Sequence, residues 1–360
     1  MVDHSSPPRP PLSTASLIAR LAGIGAVVAV VAGAFAYVNG TLDPQRLRPK
    51  TLVNALETNN GVHPGFRRNH AKGVCVAGYF QSSTEARAYS SAQVFSEAKT
   101  PIIGRFALPS GNPYAPDSSV PIRSFAVQFS QANGQQWRTG MNSMPVFPVG
   151  TPEAFYQLLK AGAPDPATGK PNPSSMPAFF VAHPETAPFL AWVKTAKPSA
   201  SYATETYNGI NAFYLVAADG TRQAVRWEVV PQSQDAAGDT APAGSDFLEQ
   251  DLVRRLAAGP LRWQLNMTLA NPGDPLDDAS KTWTGAHKVL NAGTLVLQSS
   301  QPQADGDCRD INFDPLILPS GIQASNDPLL AARSAAYASS YLRRAGEVSP
   351  LHSAPQESKP

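Results

Sequence analysis

Arg333 and Tyr337 are the two side chains of this sequence whose types and spacing best suit chemistry. Four residues apart in a helix, they lie on the same face, one turn from each other. A phenol is normally neutral, with a reference pKa of about 10, but a neighbouring guanidinium or a bound metal favours the phenolate. A phenolate can serve as an axial ligand of haem iron. Such pairs also occur by chance, so this one alone does not establish a site.

The sequence contains signals for both ends of the helix that must position this pair. Asp327 can cap its N-terminus and Pro328 suits its first turn, whereas Arg343 and Arg344 suit its negative C-terminal end. These signals predict a helix over residues 328–344. Further helices are predicted over 152–161, 185–195 and 246–258.

The rest of the chain favours strands. Runs rich in β-forming residues predict strands at 122–129, 212–218, 221–230, 261–269 and 294–298. Asn133-Gly134 and Asp219-Gly220 are turn signals, and each predicts a hairpin beside its strand. The expected fold class is therefore α+β, an antiparallel and barrel-like sheet with surrounding helices.

The composition disfavours several classes of protein. The chain has 360 residues and a formal net charge of +2, so no large basic field indicates a nucleic-acid partner. Its 35 prolines disfavour a long helical bundle. The two cysteines, Cys75 and Cys308, form no zinc-binding pattern. Whether they form a disulfide is left open, and Cys75 by itself is expected to be a small buried hydrophobe.

An uncharged segment near the N-terminus predicts a membrane helix. Residues 21–38 read LAGIGAVVAVVAGAFAYV, which is about the length needed to cross a bilayer. Arg9 and Arg20 precede this run and the next basic residue is Arg46, so the following domain is expected on the exported side. The segment predicts an uncleaved anchor, with a signal peptide cleaved after Ala36 as the alternative.

These features predict five regions along the chain. We expect a cytoplasmic tail at 1–16, a transmembrane anchor or uncleaved signal at 17–38, and a linker at 39–50. One domain is expected at 51–348, and a disordered tail at 349–360.

Several motifs of this domain resemble the catalase family. Residues 66–80 read FRRNHAKGVCVAGYF, which resembles the family's distal-histidine segment. Residues 123–129 read RSFAVQF, where the family has RGFAVKF, and residues 142–147 read NSMPVF, similar to its N-N-x-P-V-F segment. Residues 312–337 resemble the run that ends in R-x-x-x-Y. The resemblance spans about residues 51–347 in order and looks most like the short, exported, catalase-related peroxidases.

The resemblance implies a catalase-like antiparallel barrel that binds haem b, with a role for each matching residue. His70 would be the distal acid–base group, and Asn142 would hold peroxide by a hydrogen bond. Tyr337 would be the proximal iron ligand, kept ionised by Arg333. The residues expected to contact haem elsewhere are Arg67 and Arg105, which match propionate-binding positions, and Phe147, which would pack near the ring.

Two departures from the family affect these expectations. Ala107 stands where the family usually has Ser or Thr, two residues after Arg105, bonding the distal histidine. Alanine cannot orient an imidazole, so the orienting group must come from elsewhere or activity is reduced. No convincing residue set for NADPH is seen. The family's N-terminal arm is not found, which weakens the case for an interlocked tetramer, although an oligomer is compatible with the sequence.

The function predicted from the sequence is a haem peroxidase that reduces hydrogen peroxide, and organic peroxides as an extension, with an organic electron donor. Four alternatives to parts of this prediction stay open. They are a true catalase, a non-catalytic haem-binding protein, rearrangement of a lipid hydroperoxide, and export without an anchor. The expected location is a bacterial-type inner membrane with the catalytic domain in the periplasm.

Overall fold

The computed structural model describes residues 13–38, 47–197, 199–233 and 244–347. Seven α-helices lie in these ranges: α1 (Thr14–Val38), α2 (Pro49–Asn60), α3 (Pro152–Ala161), α4 (Ser175–Ala182), α5 (Ala187–Thr195), α6 (Phe247–Ala258) and α7 (Pro328–Glu347). The ten strands are β1 (Gly73–Ser82), β2 (Thr100–Ala107), β3 (Ser124–Ser130), β4 (Gln136–Asn142), β5 (Tyr207–Asn208), β6 (Phe213–Val216), β7 (Arg222–Pro231), β8 (Leu261–Leu269), β9 (Val289–Pro302) and β10 (Ile322–Ala324).

Eight of these strands close into an antiparallel barrel. The strand order around it is β1-β2-β3-β4-β5-β7-β8-β9, and β9 pairs with β1 to complete the ring. Strands β6 and β10 extend the sheet from β7. Both hairpins predicted from turn signals are present, as β3–β4 and β6–β7. The expected α+β class with an antiparallel barrel is therefore confirmed.

Aromatic side chains fill the inside of the barrel. On β3, Phe125, Val127 and Phe129 are buried in the main hydrophobic cluster. Phe129 stacks on Trp137, with ring centroids 4.5 Å apart, and Phe125 stacks on Phe106 at 4.3 Å. Because successive residues of a strand face opposite sides, the even-numbered positions of β3 face outward.

The outward side chains of the central strands form two rows across the sheet. Arg105, Ala126 and Gly140 are cross-strand neighbours on β2, β3 and β4, and Ala107, Ser124 and Asn142 form the adjacent row. Adjacent rows on one face of a sheet are two residues apart along each strand, which is about 7 Å. The site is built against these two rows.

Helix α7 covers this face and follows the predicted start signals. The Leu329 amide donates to the Asp327 side chain at 2.9 Å, as expected of an N-cap. The helix ends at Glu347 rather than Arg344. Its last turn is held by Glu347, which pairs with Arg68 and accepts the Gly65 amide at 2.8 Å.

The predicted helix at 185–195 is divided in two. Residues 184–186 form a short 3-10 helix, and α5 begins only at Ala187. Pro188 lies in the first turn of α5, where the absence of an amide hydrogen costs nothing.

Helix α1 belongs to a separate compact unit, and the chain divides between Arg48 and Pro49. It begins at Thr14 and so includes residues assigned above to the tail. By length and composition it could cross a membrane, a test that a signal sequence also passes. The predicted linker ends too late, because Pro49 already starts α2, a position that suits proline. The tails predicted at 1–16 and 349–360 lie outside the described residues, except for 13–16.

Cys75 on β1 and Cys308 form a disulfide, with Cα atoms 5.3 Å apart. Both are fully buried, next to Phe313. The expectation that Cys75 is only a small buried hydrophobe is therefore incomplete. A sequence separation of 233 residues gave no basis for pairing the two cysteines before the fold was known.

Candidate active site

A cavity of about 490 Å³ lies between the outer face of the barrel and helices α2, α3 and α7. The two cross-strand rows on β2, β3 and β4 supply one wall, whereas Leu52, Phe155 and Leu158 supply apolar surface from the helices. All seven residues predicted to form the site line this one cavity: Arg67, His70, Arg105, Asn142, Phe147, Arg333 and Tyr337. The structure thus brings together residues that are up to 270 positions apart (337 minus 67).

Tyr337 and Arg333 face the cavity from α7, one turn apart. The guanidinium carbon of Arg333 lies 5.9 Å from the centroid of the Tyr337 ring. A Cβ atom added to Gly140 would lie 3.7 Å from the Tyr337 hydroxyl oxygen and 3.3 Å from Arg333 Nη2. Glycine on β4 therefore leaves room for the Arg333 guanidinium, and the phenol oxygen lies at an ordinary contact distance from the sheet.

Arg333 is held by neutral partners rather than by a carboxylate. Its guanidinium donates to the Gly140 carbonyl oxygen at 3.1 Å and to the side-chain oxygen of Asn211. Asn211 in turn donates to Asp327 at 2.7 Å. The amide of Asn211 thus separates the Asp327 carboxylate from Arg333, which keeps its positive charge beside Tyr337 free of a direct ion pair.

His70 has an unusual backbone and an unpaired side chain. Its φ of 56° is in the left-handed region, which is uncommon for residues other than glycine and is found most often at constrained or functional positions. Its Nδ1 atom is buried and has no hydrogen-bond partner among the described residues. Burial lowers the pKa of His70 to about 3, with help from the charges of Arg105, Arg333 and Arg67. The imidazole is therefore neutral at ordinary pH.

The lack of a hydrogen-bond partner at His70 Nδ1 among the described residues is consistent with alanine at position 107. Ala107 lines the same cavity and carries no hydroxyl. The expectation that alanine leaves the imidazole without an orienting bond on this side fits the structure. The hydroxyl nearest in the sheet is that of Ser124, the cross-strand neighbour of Ala107, and it bonds Asn142 instead, at 2.6 Å.

Three arginines meet at one end of the cavity without an anionic partner. Arg67 donates through Nη2 to the carbonyl oxygens of Cys308, Arg309 and Ile311, at 2.8 to 3.1 Å. Burial, then the charge of Arg105, lowers the pKa of Arg67 well below its usual value. Burial also lowers the pKa of Arg105, to about 10, and that of Arg344.

None of these three guanidiniums forms an ion pair within the described residues, so the cluster is a group of buried positive charges that suits an anionic group. Arg105 Nε is also buried without a partner. Sequence reasoning missed the third cation, Arg344, although a signal was present. It follows Tyr337 by seven residues, which is two helical turns, and therefore shares its face.

Phe147 lines the cavity beside a second aromatic residue, Phe155 of α3, with ring centroids 5.4 Å apart. Both belong to an apolar cluster with Val149 and Phe179. Together with the helix residues they give the cavity an apolar body and a cationic end.

These features fit a haem. An apolar planar ring suits the apolar walls, and two propionates suit the three unpaired arginines. The Tyr337 oxygen lies against Gly140, and Asn142 is the next outward position on the same strand, about 7 Å further. Tyr337 and Asn142 therefore face the same cavity beside neighbouring rows of the sheet. Among the described residues, no His, Cys, Asp and Glu cluster offers an alternative metal site.

The Catalase family model matches residues 43–350, and the chain belongs to the catalase family. It is 39% identical to a catalase-related peroxidase of Synechococcus elongatus over 82% of this chain and 88% of that protein. It is 31% identical to a catalase-related peroxidase of Mycolicibacterium paratuberculosis over 83% and 96%. A catalase of Latilactobacillus sakei is 28% identical over 82% and 65%.

Proposed function

We propose that this chain is a haem b-dependent peroxidase that reduces hydrogen peroxide with electrons from an organic donor. The observation that carries the proposal is the position of two side chains, Tyr337 of α7 and Asn142 of β4, relative to strand β4. The Tyr337 oxygen lies against Gly140, and Asn142 follows one outward position later, in the same cavity as His70. A side chain that would hold iron and a side chain that would bind peroxide therefore face one cavity from adjacent rows of the sheet.

When bound, the haem would supply two-electron redox chemistry with peroxide, and the protein would supply binding and proton transfer. Tyr337 would hold the iron as the proximal ligand, and Arg333, one helical turn away, would place a positive charge beside it. Arg67 and Arg105, with Arg344, would bind the propionates through charge-assisted hydrogen bonds. Phe147 would pack near the ring.

His70 would handle the proton of the substrate. Its buried imidazole is neutral, so a ring nitrogen can accept a proton from one peroxide oxygen and deliver it to the departing oxygen. Binding two carboxylates at the arginine cluster would offset the positive charges that lower the His70 pKa. The loaded protein would therefore hold that proton more readily than the empty one. Asn142 would donate a hydrogen bond to the bound peroxide.

The balance between peroxidase and catalase activity is the second question. The two relatives reported above at 39% and 31% identity are named catalase-related peroxidases, and the chain covers most of their length. The His70 Nδ1 atom lacks an orienting bond, which favours slower proton handling than a fast catalase needs. We expect the haem-loaded protein to oxidise a phenolic dye with peroxide and to release little oxygen. Rapid oxygen release with no dye oxidation would instead identify a catalase.

The disulfide and the apolar helix favour an exported location. A buried disulfide is typical of oxidising compartments, and α1 is long and apolar enough to serve as an anchor or a signal. With Arg9 and Arg20 before the uncharged run at 21–38, the catalytic domain would face the periplasm of a bacterial-type inner membrane.

Substitution of His70 tests the enzyme assignment against simple haem binding. The His70→Ala variant should still bind haem, because the proposed anchoring residues are intact, but should lose its reaction with peroxide. A variant that turns over peroxide at the wild-type rate would refute the role of His70.

A further inference from the structure

Ser124 lies at the centre of one of the two cross-strand rows that form a wall of the cavity. It is flanked by Ala107 on β2 and by Asn142 on β4, and its side chain is buried and lines the cavity. The Ser124 hydroxyl donates to Asn142 Oδ1 at 2.6 Å. This is a bond between two side chains, formed in addition to the main-chain ladder between the two strands.

The bond decides which end of the Asn142 amide faces the cavity. A carboxamide has an oxygen that only accepts and a nitrogen that only donates, and the two ends exchange by rotation about one soft torsion. With Oδ1 engaged by Ser124, the NH2 group is the end left for a ligand. Asn142 Nδ2 donates no hydrogen bond to the described residues. The backbone of Asn142 is held independently, because Asn208 donates to its carbonyl at 3.4 Å.

We propose that Ser124 is a positioning residue that orients Asn142 as a hydrogen-bond donor to peroxide. This inference rests on the proposed function. The 123–129 segment that resembles the family's RGFAVKF has serine where that motif has glycine, so the orienting hydroxyl is a feature of this sequence. Ala107, the other neighbour of Ser124, cannot supply a hydroxyl.

The rate of reaction with peroxide tests the proposal in the haem-loaded full chain. Loss of one neutral hydrogen bond predicts a rate about 3- to 10-fold lower for Ser124→Ala. The Ser124→Thr variant retains a hydroxyl and should restore most of that rate. Ser130→Ala, on the same strand but outside the cavity, is the matched control and should react like the wild type. A Ser124→Ala variant with the wild-type rate would overturn the inference.

A double-mutant cycle shows whether Ser124 acts through Asn142. If it does, Ser124→Ala should change the rate less than about 2-fold once Asn142 is already alanine, because coupled residues are not additive. A full additional loss in that background would mean that Ser124 acts by another route. If Asn142→Ala itself reacts like the wild type, the proposed function fails at this residue, and the inference fails with it.

The haem-free full chain offers a readout that does not depend on activity. In protein labelled with 15N-asparagine, the side-chain NH2 signals of Asn142 can be assigned by their loss in Asn142→Ala. The wild type should show two resolved signals from a fixed amide. Ser124→Ala should shift and broaden them, and Ser124→Thr should keep them. Unchanged signals in Ser124→Ala would contradict an orienting role even if the peroxide rates fell.

Discussion

The guanidinium carbon of Arg333 lies 5.9 Å from the ring centroid of Tyr337, and no carboxylate of the described residues is bonded to that guanidinium. The nearest acid in its network, Asp327, is reached only through the amide of Asn211. This arrangement leaves the cationic charge available to the phenol. It also predicts the effect of replacing the neutral side chain of Asn211 with a charged one.

The Asn211→Asp variant should bind haem more weakly than the wild type. A carboxylate at this position would pair directly with Arg333 and reduce its effect on the phenolate. Asn211→Ala removes the same contact with Asp327 without adding charge and should have a smaller effect. Haem transfer to an excess of apomyoglobin measures both. Equal transfer rates for the aspartate and alanine variants would show that charge next to Arg333 does not matter.

Removing one arginine of the cluster should lower the affinity for haem without lowering the stability of the haem-free protein. Arg344→Met removes one of three buried cations that have no anionic partner. Haem affinity should fall about 10- to 100-fold, the worth of a charge-assisted hydrogen bond. The haem-free variant should be no less stable than the wild type, because a desolvated charge has been removed.

Arg343→Met is the matched control for that experiment. Arg343 pairs with Glu57 and Asn54 rather than lining the cavity, so its loss should leave haem affinity unchanged. Spectroscopic haem titration and urea unfolding measure the two quantities. A loss of stability without a loss of affinity in Arg344→Met would contradict the assignment.

The buried imidazole of His70 predicts a pH-dependent stability in the haem-free protein. Its folded pKa of about 3 is below the unfolded value of about 6.5, so the unfolded chain binds more protons between these values. Stability should therefore fall as the pH falls from 6.5 toward 3. Relative to pH 7, the loss at pH 4.5 should be roughly 2–3 kcal/mol from this residue alone.

The His70→Asn variant removes this titration and retains a residue that tolerates a positive φ. Urea unfolding of both proteins at pH 7 and pH 4.5 gives the difference in pH dependence. Other acidic groups affect both proteins alike, so only the difference is informative. Parallel pH profiles would show that His70 is not held neutral in the folded protein.

The Cys75–Cys308 disulfide should stabilise the domain and hold part of the site. Cross-linking residues 233 positions apart sets an upper limit of about 5 kcal/mol in the chain-entropy model, and typical native bridges contribute about 2–4 kcal/mol. The Cys75→Ala/Cys308→Ala variant should lose stability in that range under oxidising conditions. It should also bind haem less tightly, because the Cys308 carbonyl accepts from Arg67. Identical melting of the variant and the wild type would contradict a formed bridge.

Local patterns were enough to predict much of the fold. Turn signals at Asn133-Gly134 and Asp219-Gly220 correspond to real hairpins, and the Asp327 cap starts α7 as expected. Helix and strand limits that depend on long-range partners were not predictable. The last turn of α7, for example, contacts Arg68 through Glu347, 279 residues away in sequence.

The candidate site followed mainly from resemblance to a family, because its residues are scattered along the chain. Two residues that contact the site residues were missed, although one of them, Ser124, lies within the 123–129 segment. Asn211 accepts a hydrogen bond from Arg333, and Ser124 donates one to Asn142. No sequence pattern predicts either bond. The disulfide was equally unreadable, since two cysteines allow a bridge but do not require one.

The absorption spectrum of the Tyr337→Phe variant tests the central claim most directly. The wild-type full chain, loaded with haem, should show a Soret band with the visible features of ferric haem ligated by tyrosinate. Tyr337→Phe, which keeps the ring and removes only the oxygen, should lose most of its haem or show a clearly altered visible spectrum. Full haem content with an unchanged spectrum in this variant would contradict the account.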